Sequence, residues 1–217
     1  MTSPRRFEAV IFDMDGVLVD SEPMHAETAR LVLEPWPAAH RDFDSARYFG
    51  FTDVEMFADV VRRHALPVAV DELVRRRVEM IVRHTWESPH PMDGVADVPR
   101  ALHTAGYRLA LASSSGPEGI AATLGALDLR PVFEVVVSGL TLGRGKPAPD
   151  IFLETARQLG VAPATCLVVE DSRNGLLAAK AAGMACASIP CAATSGENFA
   201  EADYRFKSLS ELLSLLA

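Results

Sequence analysis

Long apolar runs are absent. No stretch of the 217 residues approaches the ~20 apolar positions that a membrane-spanning helix needs, so no membrane partner is expected. Cysteine is scarce: Cys166, Cys186 and Cys191. An odd number in a chain of this size argues against a disulfide framework and fits a reducing cytoplasm. Cys166 and Cys186 fall in apolar runs of strand character and read as small buried side chains. Lysine also numbers three: Lys146, Lys180 and Lys207. Lysine and arginine total 21 against 29 acids, a net charge of −8. An acidic surface repels nucleic acid and anionic lipid, so neither is an expected partner. It repels phosphate esters too, so a phosphate site here needs local positive charge. Met1 to Arg6 carries two arginines but leads into a strand, not a signal-peptide core, and a cytoplasmic location is expected.

What is present is a change of pattern along the chain. Phe7–Phe12 (FEAVIF) is a short apolar run that stops at Asp13, as a buried central strand of a parallel sheet does. From Ser21 to about Thr85 the period is helical, over Met24–Leu33, Asp53–His64 and Asp71–His84. Glu34–Pro37 and Ala65–Pro67 break it. Beyond Pro89–Gly94 strand and helix patterns alternate. Strands are expected over Tyr107–Ala112, Val132–Val137, Cys166–Val169, Met184–Ile189 and Tyr204–Phe206. Helices are expected over Val95–Ala105, Gly116–Leu127, Asp150–Gly160, Arg173–Gly183 and from Ser208, where Glu211 completes the form of a capping box. Pro99 is tolerable only in the first turn of its helix, which places that helix's start later than Val95. Such alternation predicts an α/β fold. Its core is a doubly wound, Rossmann-like parallel sheet formed by residues 1–19 and 91–217, and residues 20–90 form an inserted all-helical cap.

Ligands of open α/β sheets bind beyond the carboxyl ends of the strands. There the sequence puts Asp13 and Asp15, then Ser113, Ser114 and Ser115, then Lys146, then Glu170 and Asp171. Two carboxylates at ~4 Å repel by about 4 kcal/mol at an effective dielectric of 20. Four would need a divalent cation, and an all-oxygen set near phosphate suits Mg²⁺, while the lack of His and Cys disfavours zinc. Side chains two apart on a strand share a face, which sets Asp13 and Asp15 over one substrate. A carboxylate can attack phosphorus, and a second can supply and remove protons. Asp-Met-Asp-Gly alone is equally readable as a solvated strand end or an Asp turn. Ser113 and the following helix start could hold phosphoryl oxygens, or Ser113 could simply cap a turn. Lys146, in Gly-Arg-Gly-Lys-Pro, can neutralise a phosphoryl group, and reads as a solvated loop lysine only without the carboxylates.

Taken together, Asp13-Met14-Asp15-Gly16-Val17, Ser113, Lys146-Pro147 and Glu170-Asp171-Ser172 resemble the four motifs of the haloacid dehalogenase superfamily, in family order. The resemblance runs from Phe7 to the last helix, and the helical stretch resembles the family's cap. It implies that Asp13 is a nucleophile and metal ligand. Asp15 would be the acid/base, with its carbonyl on Mg²⁺. Ser113, Ser114 and Lys146 would hold the phosphoryl group. Asp171 would bind the metal, with Glu170 as a ligand or supporting partner. The implied activity is hydrolysis of a small phosphomonoester, a sugar phosphate or related metabolite, by a monomer or weak homodimer.

The sequence is most similar to the β-phosphoglucomutase-like branch. Dehalogenases lack the second motif-one aspartate, and phosphonatases need a cap lysine, which Val19–His90 does not contain. His25 matches a cap-hinge histidine of mutase and phosphatases. The mutase's cap-loop arginine is replaced by Asp53, in Phe49-Gly50-Phe51-Thr52-Asp53, and Ser115 is followed by Gly116 and Pro117, not by a basic residue. These departures favour hydrolysis over isomerisation, with Arg47 a candidate substitute that keeps the mutase open. A non-catalytic relic would show a broken motif, and none is broken. Phe49, Phe51, Phe57 and Trp86 are either cap core or pocket wall.

Overall fold

The computed structural model describes residues 6–48 and 51–216. Its centre is β1 (Ala9–Phe12), which lies parallel between β2 (Arg108–Ser113) and β4 (Cys166–Glu170). β3 (Val135–Ser138) pairs with β2. On the other side β5 (Ala185–Ser188) pairs with β4, and β6 (Tyr204–Arg205) with β5. The order is β3-β2-β1-β4-β5-β6, all parallel. The order reverses between β1 and β4, so their carboxyl ends flank a crevice.

Every residue of β1 is fully buried, because both faces of the sheet are covered. Val10 and Phe12 pack with Leu102, Ile120 and Leu212 on one face. Ala9 and Ile11 pack with Phe152, Leu159 and Leu176 on the other. The alternation is the two-residue period of a strand.

Between β1 and β2 the chain is helical: α1 (Glu22–Leu31), α2 (Pro37–Asp42), α3 (Asp53–His64), α4 (Val70–Glu87) and α5 (Val98–Thr104). The first four share a hydrophobic cluster of their own around Leu33, Phe57 and Leu73. After β2 come α6 (Pro117–Ala126), α7 (Asp150–Leu159), α8 (Arg173–Ala181) and α9 (Leu212–Leu216). The doubly wound α/β architecture is the one the alternation predicts.

Differences are local and have reasons. α2 lies outside the expected set: Pro37 does not end a helix but opens one, at a position where no N–H is needed. α5 starts at Val98, which puts Pro99 in its first turn. β3 starts three residues later than expected because Arg130–Val132 forms a 3₁₀ turn. The capping box at Ser208 does not close. Glu211 accepts from the Lys207 N–H at 3.2 Å and the segment opens as 3₁₀. The same spacing at Thr52 and Glu55 does close, and fixes the start of α3.

Candidate active site

The site is built on the β1/β4 crevice. The Asp13 N–H bonds to the Val169 carbonyl at 2.9 Å, extending the ladder one residue past β1. The chain then turns, with Val17, Leu18 and Val19 all donating to the Met14 carbonyl. Gly16 makes the turn possible at φ +78°. It also leaves room: a Cβ there would lie 2.2 Å from an Asp171 oxygen.

Asp13, Glu170 and Asp171 meet behind this turn. One carboxylate oxygen from each lies within 4.8 Å of the others. Exposures are 6%, 0% and 6%. Lys146 Nζ donates to Asp13 Oδ1 at 2.6 Å and to Glu170 Oε1 at 2.5 Å. Glu170 Oε2 accepts from the N–H groups of Asp171 and Ser172 and from the Ser172 hydroxyl, at 3.0–3.1 Å. Gly175 in α8 admits that side chain, since a Cβ would sit 1.8 Å from Glu170 Oε1. Glu170 thus spends both oxygens on holding Lys146 and the Asp171 backbone in place.

Electrostatically the cluster is short of positive charge. Burial, with the carboxylates of Glu170 and Asp15, pushes the Asp13 carboxyl well up, against the Lys146 ammonium. Burial and Glu170 push Asp171 up to about 6. Lys146 is buried, which disfavours its charge, yet Asp13 and Glu170 raise it above its ordinary value. Three carboxylates with one lysine and no His or Cys ligand form a donor set suited to a hard divalent cation such as Mg²⁺.

Asp15 faces another way. Ser21 Oγ donates to its Oδ1 at 2.5 Å and Ser115 Oγ to its Oδ2 at 2.8 Å. Ser113 Oγ lies 3.5 Å from Oδ2 and accepts from the Ser115 N–H at 3.0 Å. His25 Nε2 stands 3.8 Å from Oδ1. Burial raises Asp15, but these partners outweigh it and hold the carboxyl at about 2. Of the residues expected to hold metal, Asp15 alone turns its side chain away from the cluster, toward Ser21 and Ser115.

Above Asp15 opens a cleft of about 840 Å³ between the sheet edge and α1, α3 and α4. Ser114, His25 and Phe51 line it. Phe57 is fully buried in the helical core, and Trp86 lies over Gly125 of α6. Arg47 is exposed, off the cleft wall. Phe49 lies outside the described residues.

Three contributors escaped the sequence reading. Ser21 joins Ser115, already placed at the same strand edge, in holding Asp15. Cys191 Sγ and Thr194 Oγ1 donate to Asp171 Oδ2 at 3.1 and 3.2 Å. Both come after β5, whose carboxyl end also borders the crevice, and a search of the segment past that strand for hydroxyl and thiol groups would have found them. Arg77 of α4 is a further omission. Its side chain is 8% exposed, bonds Asp53 Oδ1 through one terminal nitrogen, and donates to the His25 carbonyl at 3.0 Å through the other. It hides among the charges of Arg75-Arg76-Arg77, where only packing distinguishes it.

This geometry can be set beside known proteins. The family profile described as haloacid dehalogenase-like hydrolase matches residues 7–183. Hexitol phosphatase B of Escherichia coli K12 is 30% identical over 239 residues, covering 98% of this chain and 97% of its own. A phosphorylated carbohydrates phosphatase of Thermotoga maritima is 33% identical over 82% of each chain. The crystal structure of CbbY from Rhodobacter sphaeroides in complex with phosphate superposes with a TM-score of 0.84 at 31% identity, covering 97% of this chain and 99% of that one. With the profile spanning most of its length and relatives aligned nearly end to end, the chain belongs to the haloacid dehalogenase-like hydrolases.

Proposed function

We propose that the protein is a divalent-cation-dependent phosphatase. It hydrolyses a small phosphomonoester, a sugar phosphate or related metabolite, through an aspartyl-phosphate on Asp13. The observation that carries this reading is the pairing of Asp13 with Lys146 at 2.6 Å inside a buried, carboxylate-rich crevice that opens onto a cleft. Relatives named as phosphatases of hexitols and phosphorylated carbohydrates support the substrate class.

The chemistry follows from the side chains. An Asp13 oxygen attacks phosphorus, while Lys146, 2.6 Å from Asp13, balances charge on the phosphoryl oxygens. Ser113 and Ser114 offer hydroxyls at the same edge. The departing alcohol oxygen takes a proton from Asp15. Water then attacks the phosphorus of the aspartyl-phosphate and gives its proton to Asp15, releasing inorganic phosphate and restoring Asp13. With its carboxyl held at about 2, Asp15 is ionised in the free site and ready as a base. A phosphate dianion beside it works the other way and favours the protonated form that the first step requires. Asp13, Asp171 and the Asp15 carbonyl would hold Mg²⁺, with Glu170 in support. The bound cation would offset the buried carboxylates and polarise the phosphoryl group.

Residues 20–90 serve in this reading as a cap whose movement over residues 1–19 and 91–217 excludes water. The test is phosphate release from a panel of sugar and small-metabolite phosphates, with Mg²⁺ and with EDTA. Mg²⁺-dependent release is expected. Conversion of a hexose 1-phosphate to its 6-phosphate without release would replace hydrolysis with isomerisation.

A further inference from the structure

Residues 20–90 contain nine arginines and no lysine. Among the described residues only Arg77 brings a guanidinium to the cleft wall. That cation is already committed, one terminal nitrogen to Asp53 and the other to His25. The remaining charges on the wall are mostly negative: Asp15, Asp20, Glu22, Asp53 and Glu118, against the imidazoles of His25, His84 and His90. Lys146 lies deeper, bound to Asp13 and Glu170.

A second phosphate on the substrate would bring nearly two further negative charges into this space. On the cleft wall it would find only the Arg77 guanidinium, both of whose terminal nitrogens are already bonded and whose Nε is buried, and like charges across an interface are strongly disfavoured. Hydroxyl groups meet the opposite situation. Asp53 keeps 32% of its side chain exposed, and a carboxylate accepts from O–H donors. Met24, Phe51, Val74, Val78, Ile81 and Leu140 supply apolar surface around it, which suits the carbon faces of a polyol.

We propose that the Asp53–Arg77 pair is a specificity device: it neutralises the cleft's one guanidinium, and so selects a monophosphate with an uncharged, hydroxyl-bearing leaving group over a bisphosphate. The proposal rests on the phosphatase reading above and narrows its substrate class.

Binding separates the two claims. Dissociation constants for a hexitol 6-phosphate and the hexitol 1,6-bisphosphate are measured by calorimetry with Mg²⁺ at fixed ionic strength. The protein is the Asp13→Asn form, in which turnover is blocked. The monophosphate is expected to bind about tenfold or more tightly. Adding Asp53→Asn, or Asp53→Ser should the first fold poorly, frees Arg77. It is expected to shift the ratio about tenfold toward the bisphosphate, and a further Arg77→Met to reverse the shift. A bisphosphate that binds the parent as tightly as the monophosphate, or a ratio that Asp53→Asn leaves unchanged, overturns the proposal. Wild-type protein that releases phosphate from no ester overturns the phosphatase reading instead, and the affinities still decide the cleft's preference.

Discussion

Deeper than the cleft wall lies a floor where three buried carboxylates crowd against one lysine, whereas on the cleft's roof Arg77 bonds to Asp53 and His25 among apolar side chains. The floor is electrostatically incomplete. Asp13 and Asp171 are both pushed up, as acids are when burial outruns compensation. The roof has both terminal nitrogens of Arg77 bonded before any ligand arrives, with only its buried Nε left without a partner. Asp15 stands between them and resembles the roof, with Ser21, Ser115 and His25 holding it at about 2. Two acids two residues apart therefore hold opposite protonation tendencies in the free site. The proposed roles need the reverse, an ionised Asp13 and a protonated Asp15, which a bound cation and a substrate phosphate dianion respectively favour. The contrast teaches that floor residues are placed to receive charge, while roof residues are placed to exclude it.

Substitutions can break that contrast in order of effect. Asp15→Asn keeps the shape but carries no exchangeable carboxyl proton. Turnover is expected to fall about 10²–10⁴-fold with substrate affinity largely kept, read by steady-state phosphate release. Lys146→Met removes the floor's one cation. Phosphate release is expected to fall about 10²–10³-fold. Breaking a buried pair costs about 3–5 kcal/mol, so urea unfolding should show the loss as well.

The floor's missing charge has a pH signature. Asp171 sits near 6 in the folded chain against an ordinary 3.8, so the folded state holds its proton longer than the unfolded one. Without a divalent cation, stability should therefore fall as pH rises from about 4 to 6, by about 2–3 kcal/mol from this group. Asp15, held near 2, contributes the opposite slope at lower pH, gaining stability between about 2 and 4. Mg²⁺ favours the ionised Asp171, so it should flatten the fall and add about 2.7 kcal/mol at 100 times its dissociation constant. Chemical denaturation at several pH values, with Mg²⁺ and with EDTA, reads both. Ser21→Ala is the mildest test. It deletes one bond to Asp15, worth about 1 kcal/mol, and should lower turnover about fivefold while moving the acidic limb of the rate profile upward.

The same contrast explains what was legible in the sequence. The floor lies within short motifs, each following a strand whose apolar run is plain: AVIF before Asp13, CLVVE ending in Glu170. Strand-end chemistry is local in the chain, so Asp13, Lys146 and Asp171 could be named. The roof is assembled from residues 24 and 52 positions apart, Arg77 with Asp53 and with His25. No spacing rule links them, because helix packing brings them together. Helix ends obey the same logic. α3 begins where Thr52 and Glu55 form their reciprocal cap, but Ser208 and Glu211 share the pattern and adopt another arrangement. Pro37 shows that a breaker and a starter can be one residue, with the outcome decided by its neighbours.

The role of Asp13 is open to direct observation. Wild-type protein is mixed with a turned-over phosphate ester and Mg²⁺, quenched in acid within one turnover, and its peptides are weighed. A phosphoryl group on the peptide bearing Asp13, absent from the Asp13→Asn form, is the expected result. Phosphate release in a first turnover with no phosphoryl group on Asp13 at any time point would contradict covalent catalysis at this site.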